Sequence, residues 1–348
     1  MKKSIIIMLG LALMSVQSFA DTRAQALLLH NGQGKSFDAD QLQEAVNEAV
    51  DGDTIYLSEG TFNLNGVMTI EKNVSLVGAG GEKTTLRGSI NFAIDGAPTI
   101  TRHLLDALKI TDALEVTKEQ HGLNIRKCWI GTRLIASDDV TDLQIDRCYI
   151  DTIIPSAHFK SASVVNSVIA YIGYSATASL NPYPYNTAGN DWLFTNCSIL
   201  FLYAHGYSTS SGNIITDAAF ANCIVLNIDS SGGVDAGENN SYTNCLTSSN
   251  YGRGSTVHNC YSKEMNYTTN KSKDNYPSFI WGTTSIGVGN VSSLSSYNFF
   301  GTDGTVVGAL GGATPYTLEA EGLEIKESLL RVDPDTRQLN VTLKVEKK

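Results

Sequence analysis

Five basic side chains are of the types that can take a proton from carbon or neutralise a carboxylate. A general base must reach the proton it removes, and a cation stabilises negative charge that develops beside it. No fixed spacing links the five residues, so each is a candidate catalytic residue on its type alone: Arg126, His158, Lys160, His205 and Arg253.

A run of carboxylates offers a second kind of chemistry. Calcium prefers oxygen ligands, and closely spaced aspartates can supply them. The run predicts a calcium site, the only cofactor that the sequence suggests, at Asp138, Asp139, Asp142 and Asp146. Solvated turn residues are the alternative interpretation, because the whole chain is acidic, with a formal net charge of −10.

Aromatic side chains form the third candidate set. Their rings present a flat apolar face with a polar edge, which suits the CH faces of sugars. The residues predicted to bind carbohydrate are Trp129, Tyr149, Tyr183, Tyr185 and Trp192. The alternative is that tyrosines in a long loop pack only against each other.

The segments that carry these residues are copies of one unit. GLNIRKCWI at 122 to 130 returns as DLQIDRCYI at 142 to 150, with four apolar positions repeated at an interval of 20 residues. Shorter copies follow as ASVVNSVI at 162, TNCSI at 195, ANCIV at 221, TNCLT at 243 and HNCYS at 258. Repeats of this kind predict a solenoid of stacked coils.

Alternation within the unit assigns each side chain to a face. If Ile125 and Ile145 point inward, Arg126 and Asp146 point outward one coil apart, and Trp129 lies over Tyr149. Such pairs stabilise a sheet, and the alternative is an exposed groove for a sugar ring.

The six cysteines take the same place in different coils. Parallel strands lie about 4.8 Å apart with side chains in register, whereas a disulfide needs Cβ atoms that converge to about 3.8 Å. We therefore predict free, inward-facing thiols that pack the core rather than disulfides or ligands. One or two bridges between loops remain the alternative.

In five coils an asparagine directly precedes the position that a cysteine takes in most coils, which we call the ladder position. Asparagine tolerates the left-handed backbone of a tight turn, and its amide can bond to the asparagine of the next coil. The pattern predicts a structural ladder of turns at Asn166, Asn196, Asn222, Asn244 and Asn259.

Two solenoid folds fit the strongest copy, VTDLQIDRCYI at 140 to 150. A leucine-rich-repeat solenoid shares its leucine spacing. The later coils lose the leucines, vary in length and lack helix formers, so the prediction is an all-β, right-handed parallel β-helix.

Both ends of the solenoid need a cap. Residues 36–53 place Leu42, Ala45, Val46, Ala49 and Val50 on one helical face, with Asp40 as the predicted N-cap and Gln43 at N3. At the other end, apolar and polar residues alternate around DPDT and predict a β-hairpin.

The predicted boundaries follow from these elements. They are a signal peptide at 1–20, an N-terminal strand and capping helix at 21–53, a β-helix at 54–310 with loop inserts near 170–192 and 262–280, and a C-terminal capping segment at 311–348. Lys2, Lys3 and a short apolar run are typical of a secretory signal, which predicts a periplasmic, cell-surface or extracellular protein. The sequence predicts no membrane span, no nucleic-acid partner and a monomer.

The segment GDTIYLSEGTF at 52 to 62 and the stacked-coil pattern resemble secreted right-handed parallel β-helix proteins of the pectin-lyase-like superfamily. Members of that superfamily cleave or bind acidic polysaccharides, and others are coats, adhesins or scaffolds. Motifs of its enzyme families are poorly matched: Asp138 and Asp139 are the one adjacent acidic pair for a hydrolase, AHG at 204 replaces GHG, and no QDT or DFIFG block of the methylesterases occurs.

The resemblance implies a carbohydrate-interacting protein with a polysaccharide partner. If it is an enzyme, the expected reaction is that of a polysaccharide lyase on acidic glycans. A non-catalytic extracellular scaffold or adhesin is the alternative function.

Overall fold

A computed structural model describes most of the repeat region and both ends of the solenoid. The described residues are 24–96, 99, 104–155, 158–173, 191–203, 215–225, 228–229, 237–247, 254–262, 300–320, 323–332 and 339–347. The predicted signal peptide and the greater part of both predicted loop inserts lie outside these residues.

The regular elements are almost all short strands. One 3-10 turn spans Ala39–Gln41, and the single described α-helix, α1, spans Leu42–Glu48. The strands of the first third are β1 (Gln25–His30), β2 (Gln33–Asp38), β3 (Thr54–Leu57), β4 (Gly60–Ile70), β5 (Ser75–Val77), β6 (Thr84–Phe92), β7 (Leu105–Asp106), β8 (Lys109–Ile110), β9 (Ala113–Val116) and β10 (Gln120–His121). The middle strands are β11 (Asn124–Arg126), β12 (Trp129–Ala136), β13 (Val140–Thr141), β14 (Leu143–Asp146), β15 (Tyr149–Ile153), β16 (Ser161–Val165), β17 (Val168–Gly173), β18 (Asp191–Thr195), β19 (Ser198–Tyr203) and β20 (Ile215–Thr216). The last strands are β21 (Ala219–Ala221), β22 (Ile224–Val225), β23 (Ile228–Asp229), β24 (Gly237–Glu238), β25 (Ser241–Thr243), β26 (Leu246–Thr247), β27 (Thr256–His258), β28 (Tyr261–Ser262), β29 (Leu323–Val332) and β30 (Leu339–Lys347).

Two long sheets run the length of the coil stack. The first has the order β2-β1-β3-β5-β7-β11-β14-β16-β18-β21-β25-β27, and the second has the order β28-β26-β22-β19-β17-β15-β12-β8-β6-β4. Among the described strands of these two sheets every pairing is parallel except those of β1, which is antiparallel to β2 and to β3. The parallel β-solenoid is confirmed, and a leucine-rich-repeat solenoid, which needs a helix or 3-10 turn in each repeat, is set aside.

The repeat register is the one that the sequence predicts. Ile125 pairs with Ile145 in the first sheet, and Ile130 pairs with Ile150 in the second. All four side chains are buried. A slip of one residue would turn each apolar set outward, so burial of one face fixes the register.

At the turn between the two sheets, one residue in each of these coils has the left-handed backbone conformation, with positive φ. The five ladder asparagines all have φ between 47° and 55°, which confirms the predicted turn. The structure adds Ala107, Lys127 and Arg147 at the same place in the earlier coils, with φ of 54°, 51° and 54°. Sequence reasoning missed these three because none is a typical left-handed residue.

The core contains a column of thiols and a column of rings. All six cysteines are free and buried, as predicted. Beside them, Phe194, Phe220 and Tyr242 stack in consecutive coils with ring centroids 4.8 Å apart. The equal spacing of the rings follows from the in-register stacking of parallel strands.

Helix α1 covers the N-terminal end, as predicted, but its ends differ from the prediction. Asp40 is not the N-cap: the helical segment starts at the 3-10 turn, where the Asp38 N–H donates to Gln41 Oε1 at 3.2 Å. The helix ends at Glu48, so Val50 leaves the apolar stripe and is 47% exposed. Leu42, Ala45 and Val46 are buried against the first coils.

A C-terminal segment runs along the outside of the stack, and we call residues 300–320 the strap. The Thr302 N–H donates to Asn222 Oδ1 at 2.9 Å, and Asn166 Nδ2 donates to the Gly311 carbonyl at 2.6 Å. At its far end, the Gly81 N–H donates to the Leu318 carbonyl at 2.7 Å. The strap thus crosses many coils at the asparagine turns.

Strands β29 and β30 pair antiparallel, from Leu323↔Lys347 to Val332↔Leu339. This confirms the predicted C-terminal hairpin. In the part of the chain that the structure describes, no helix is long and apolar enough to cross a membrane.

Candidate functional site

The candidate site lies at an edge of the solenoid beside the short strands β10 and β13. These strands pair in parallel, and Val140 of β13 forms a further parallel bridge with Phe159. Asp139 directly precedes Val140, and His158 directly precedes Phe159, so the stacking brings Asp139 and His158 together from neighbouring coils. We call Asp138, Asp139, His158 and Lys160 the edge cluster.

One carboxylate oxygen organises the edge cluster. Asp139 Oδ1 lies 3.0 Å from His158 Nδ1 and 3.3 Å from Lys160 Nζ. The three side chains are 42%, 43% and 46% exposed, so the cluster is open to a ligand from solvent. Sequence reasoning had placed Asp139 among metal ligands and the other two among catalytic residues, and the structure joins the two sets.

The electrostatics favour an ionised carboxylate. Partial burial acts to raise the pKa of Asp139, but hydrogen bonds from His158 and Lys160 outweigh it and hold this pKa below its ordinary value. With Nδ1–H donated to the Asp139 carboxylate, His158 carries its lone pair on Nε2. A histidine oriented in this way is suited to accept a proton.

The edge cluster also contains the one set of described residues with the donor spacing of a metal site. Donor atoms of Asp138, Asp139 and His158 lie within 4.8 Å of one another. Two features oppose calcium: a histidine nitrogen replaces an oxygen ligand, and the Lys160 ammonium already contacts Asp139. Calcium remains a prediction.

The other two predicted calcium ligands lie apart from this set. Asp142 Oδ1 accepts a hydrogen bond from Ser161 Oγ at 3.2 Å. Asp146 Oδ2 pairs with Arg147, whose Nε lies 2.9 Å away. The structure therefore does not gather the four aspartates into one site.

The preceding coil extends the edge with residues that sequence reasoning missed. His121 Nε2 lies 3.4 Å from Glu119 Oε1, and His121 Nδ1 hydrogen-bonds to Thr141 Oγ1. Glu119 lies one coil before Asp139, since Gln120 pairs with Val140. The signal that could have found them is their place in the repeat, one interval of 20 residues earlier.

Arg126 lies on the outer face of the first sheet, away from the edge cluster. Its register with Asp146 is confirmed, and it is also in register with Asp106 on the other side. Arg126 Nε donates to Asp106 Oδ1 at 3.1 Å, and both side chains are largely covered, at 16% and 11% exposure. This pair joins neighbouring coils.

The aromatic pair Trp129 and Tyr149 stacks one coil apart, as predicted. Their ring centroids are 5.0 Å apart in an edge-to-face arrangement. Tyr149 is only 4% exposed, because Leu318 and Tyr316 of the strap pack in the same cluster. Trp129 is partly exposed, and the Lys109 ammonium lies 4.0 Å from its ring centroid.

Trp192 is a core residue rather than an exposed sugar platform. It is 1% exposed and packs against Phe159 and Phe194, with centroid distances of 5.6 Å to each. The sequence placed Trp192 in the long insert and so predicted an exposed ring that binds carbohydrate. In the structure Trp192 already belongs to strand β18, and its side chain points into the core. Its contact with Phe159 anchors the short segment that carries His158 and Lys160.

The remaining predicted residues, Tyr183, Tyr185, His205 and Arg253, lie outside the described part of the chain. Comparisons of the chain with models of protein families, with curated proteins and with solved structures gave no match.

Proposed function

We propose that the protein is a secreted, carbohydrate-interacting β-helix protein and that the edge cluster acts as a polysaccharide lyase centre for acidic glycans. The observation that carries the proposal is the double contact of Asp139 Oδ1 with His158 Nδ1 and Lys160 Nζ. It sets a proton acceptor and a cation side by side on an exposed edge.

Elimination from a uronate needs both groups. A base removes the proton at C5, next to the carboxylate, and a cation must neutralise that carboxylate as negative charge spreads onto it. His158 Nε2 is the proton acceptor in this scheme, and the Lys160 ammonium binds the uronate carboxylate. Electrons of the C5–H bond form the C4–C5 double bond, the bond between C4 and the glycosidic oxygen breaks, and that oxygen takes a proton from solvent to become a hydroxyl.

Asp139 supports both partners without touching the substrate. Its hydrogen bond to Nδ1 fixes the imidazole tautomer and stabilises the imidazolium that forms after proton transfer. Its contact with Lys160, at 3.3 Å, holds the ammonium on the same carboxylate oxygen that orients the base. Phe159, the residue between His158 and Lys160 in the chain, is buried against Trp192 and holds the local backbone in place.

Two further observations support a glycan as substrate. The segment GDTIYLSEGTF and the stacked coils resemble the pectin-lyase-like superfamily, some of whose members cleave or bind acidic polysaccharides. The Lys109 ammonium, which lies over the Trp129 ring, offers a second contact for a glycan carboxylate elsewhere on the solenoid. Tyr183 and Tyr185 remain carbohydrate-binding candidates on sequence grounds.

A substrate panel tests the proposal. The protein is incubated with polygalacturonate, pectin, alginate and glycosaminoglycans, with and without calcium, and the absorbance of new unsaturated ends is followed. Affinity gels made with the same glycans run in parallel, with a Tyr183→Ala, Tyr185→Ala double variant. Absorbance on any substrate supports the lyase; retention without absorbance supports binding alone; neither signal leaves the scaffold or adhesin as the function.

A further inference from the structure

The edge cluster brings a mixed set of metal-binding donors to one place on the surface. Asp138 and Asp139 directly precede β13, and His158 comes from the next coil, which the bridge between Val140 and Phe159 holds in register. Donor atoms of the two aspartates and the histidine lie within 4.8 Å of one another. Within this set, Asp139 Oδ1 lies 3.0 Å from His158 Nδ1. The stacking of neighbouring coils therefore sets the distances between these donors.

The donor set fits zinc better than calcium. Zn²⁺ binds carboxylate oxygen and imidazole nitrogen at about 2.0–2.2 Å, usually with four ligands in a tetrahedron whose neighbouring donors lie about 3.4 Å apart. Asp139 Oδ1 and His158 Nδ1, at 3.0 Å, need to separate by only a few tenths of an ångström to fit it. Calcium takes about six to eight oxygen ligands, and this set offers it two carboxylates and a nitrogen.

A backbone hydrogen bond orients the Asp138 carboxylate. The Asp139 N–H donates to Asp138 Oδ1 at 2.8 Å and holds the two neighbouring carboxylates side by side. An ionised carboxylate has lone pairs for about four contacts, so this bond leaves capacity for a metal ion. Asp138, Asp139 and His158 thus supply three ligands, and water completes the tetrahedron.

We propose that Zn²⁺ binds Asp138, Asp139 and His158 and thereby switches off the lyase centre. The binding site follows from the donor geometry, whereas the switch also rests on the proposed function. Two carboxylates and a neutral imidazole balance the charge of the dication. Asp139 and His158 are 42% and 43% exposed, so the ion enters directly from solvent.

Zinc changes the tautomer of His158. Without the ion, Nδ1–H is donated to Asp139 and Nε2 carries the lone pair. When Nδ1 binds zinc through its own lone pair, the one proton of the neutral ring lies on Nε2, which then cannot accept the C5 proton of a uronate. One zinc–nitrogen and two zinc–oxygen bonds form, the ring proton moves from Nδ1 to Nε2 through solvent, and no electron is transferred.

Zinc also displaces the cation of the lyase centre. Lys160 Nζ lies 3.3 Å from Asp139 Oδ1, the same oxygen that contacts His158 Nδ1. A dication on this oxygen repels the ammonium, and the flexible four-carbon stem of Lys160, which is 46% exposed, lets it move into solvent. Zinc and Lys160 therefore compete for Asp139, and removal of the ammonium should strengthen zinc binding.

Calorimetric titration of the full chain with zinc chloride measures the site without any glycan. We expect His158→Gln and Asp138→Asn each to raise the Kd about tenfold or more, because each removes a ligand. Asp142→Asn is the matched control: Asp142 accepts from Ser161 and lies outside the donor set, so its Kd should stay within about twofold of wild type. No saturable binding by the wild-type protein, or equal Kd values in all four proteins, would overturn the proposal.

The variant Lys160→Met should change the affinity in the opposite direction. It removes the competing ammonium and keeps the length of the side chain, so the Kd for zinc should fall by roughly two- to fivefold. Damage to the fold cannot produce tighter binding. An unchanged or higher Kd in Lys160→Met would overturn the displacement of the ammonium by zinc.

The switch is measured on any glycan of the substrate panel that yields unsaturated product. At a zinc concentration equal to the wild-type Kd, the wild-type rate should fall to about half, because half of the centres are blocked, and EDTA should restore it. Asp138→Asn should keep about nine-tenths of its own zinc-free rate, since its Kd is about tenfold higher. Zinc that binds without slowing the reaction would overturn the switch. Zinc binding without product from any glycan would contradict the proposed function, and the switch with it, but not the metal site.

Discussion

The side-chain amide of Gln43 pairs with the backbone of Thr69 as a neighbouring strand would. Gln43 Nε2 donates to the Thr69 carbonyl at 3.1 Å, and the Thr69 N–H donates to Gln43 Oε1 at 3.1 Å. Thr69 lies in β4, the edge strand of the second sheet. A helix residue thus occupies hydrogen-bonding groups that an exposed edge would offer to another chain.

Replacing Gln43 with methionine, which keeps the shape of the side chain, should destabilise the N-terminal end. Both Thr69 backbone groups lose their partner, which costs about 1–3 kcal/mol of unfolding free energy. Urea unfolding measures the change. Gln144→Met at an exposed position of the first sheet is the matched control, and an equal loss in both variants would contradict the role of the amide.

The strap should loosen when its contact with Asn222 is removed. Asn222→Gly keeps the left-handed turn, with φ of 55°, but removes the amide that bonds to Thr302. We expect faster protease cleavage within residues 300–320, detected by mass spectrometry. Asn244→Gly, at φ of 52° and bonded to Asn259, is the control. Equal cleavage in both variants would argue against anchoring of the strap by Asn222.

Trp192 should contribute more to stability than Trp129. Trp192→Ala removes a fully buried ring and should lower the unfolding free energy by about 3–5 kcal/mol. Trp129→Ala, at a partly exposed position, should cost less. Chemical denaturation of the two variants compares them, and a smaller effect at Trp192 would contradict its place in the core.

Asp139 should make stability depend on pH in the acid range. Its folded pKa lies below its ordinary value, so ionised Asp139 stabilises the native state above the unfolded pKa of about 3.9, and this contribution is lost as pH falls through the folded pKa. Because the group is exposed, the effect should stay below about 1 kcal/mol. Wild type and Asp139→Asn should therefore differ in stability at pH 5 and converge as pH falls through the folded pKa of Asp139; a constant difference would disprove the linkage.

The features of the fold that follow from the repeat, namely strand register and the inward or outward direction of side chains, were predictable from the sequence. The interval between Ile125 and Ile145 fixes strand register and the inward column of cysteines, because stacking forces each copy into the same environment. It also fixed which positions face outward, and therefore the alignment of Trp129 with Tyr149.

Contacts between distant segments were not predictable from the repeat. The strap packs on Tyr149 from more than 150 residues away in the chain, and no local pattern in 300–320 indicates that partner. The four residues of the edge cluster were all candidates from the sequence, but their proximity was not predicted, for a related reason. Asp139 and His158 lie in separate coils whose lengths vary, so only the bridge between Val140 and Phe159 reveals that they meet.

The most direct test of the proposed function compares His158→Gln with His258→Gln on any acidic glycan of the substrate panel from which the wild-type protein forms unsaturated product. His258 lies on the outer face of β27, away from the edge cluster, and serves as the control. Loss of the general base should lower kcat by roughly 100-fold or more for His158→Gln, while His258→Gln stays within about twofold of wild type. Wild-type rates in His158→Gln, or no unsaturated product from any acidic glycan with the wild-type protein, would contradict the account.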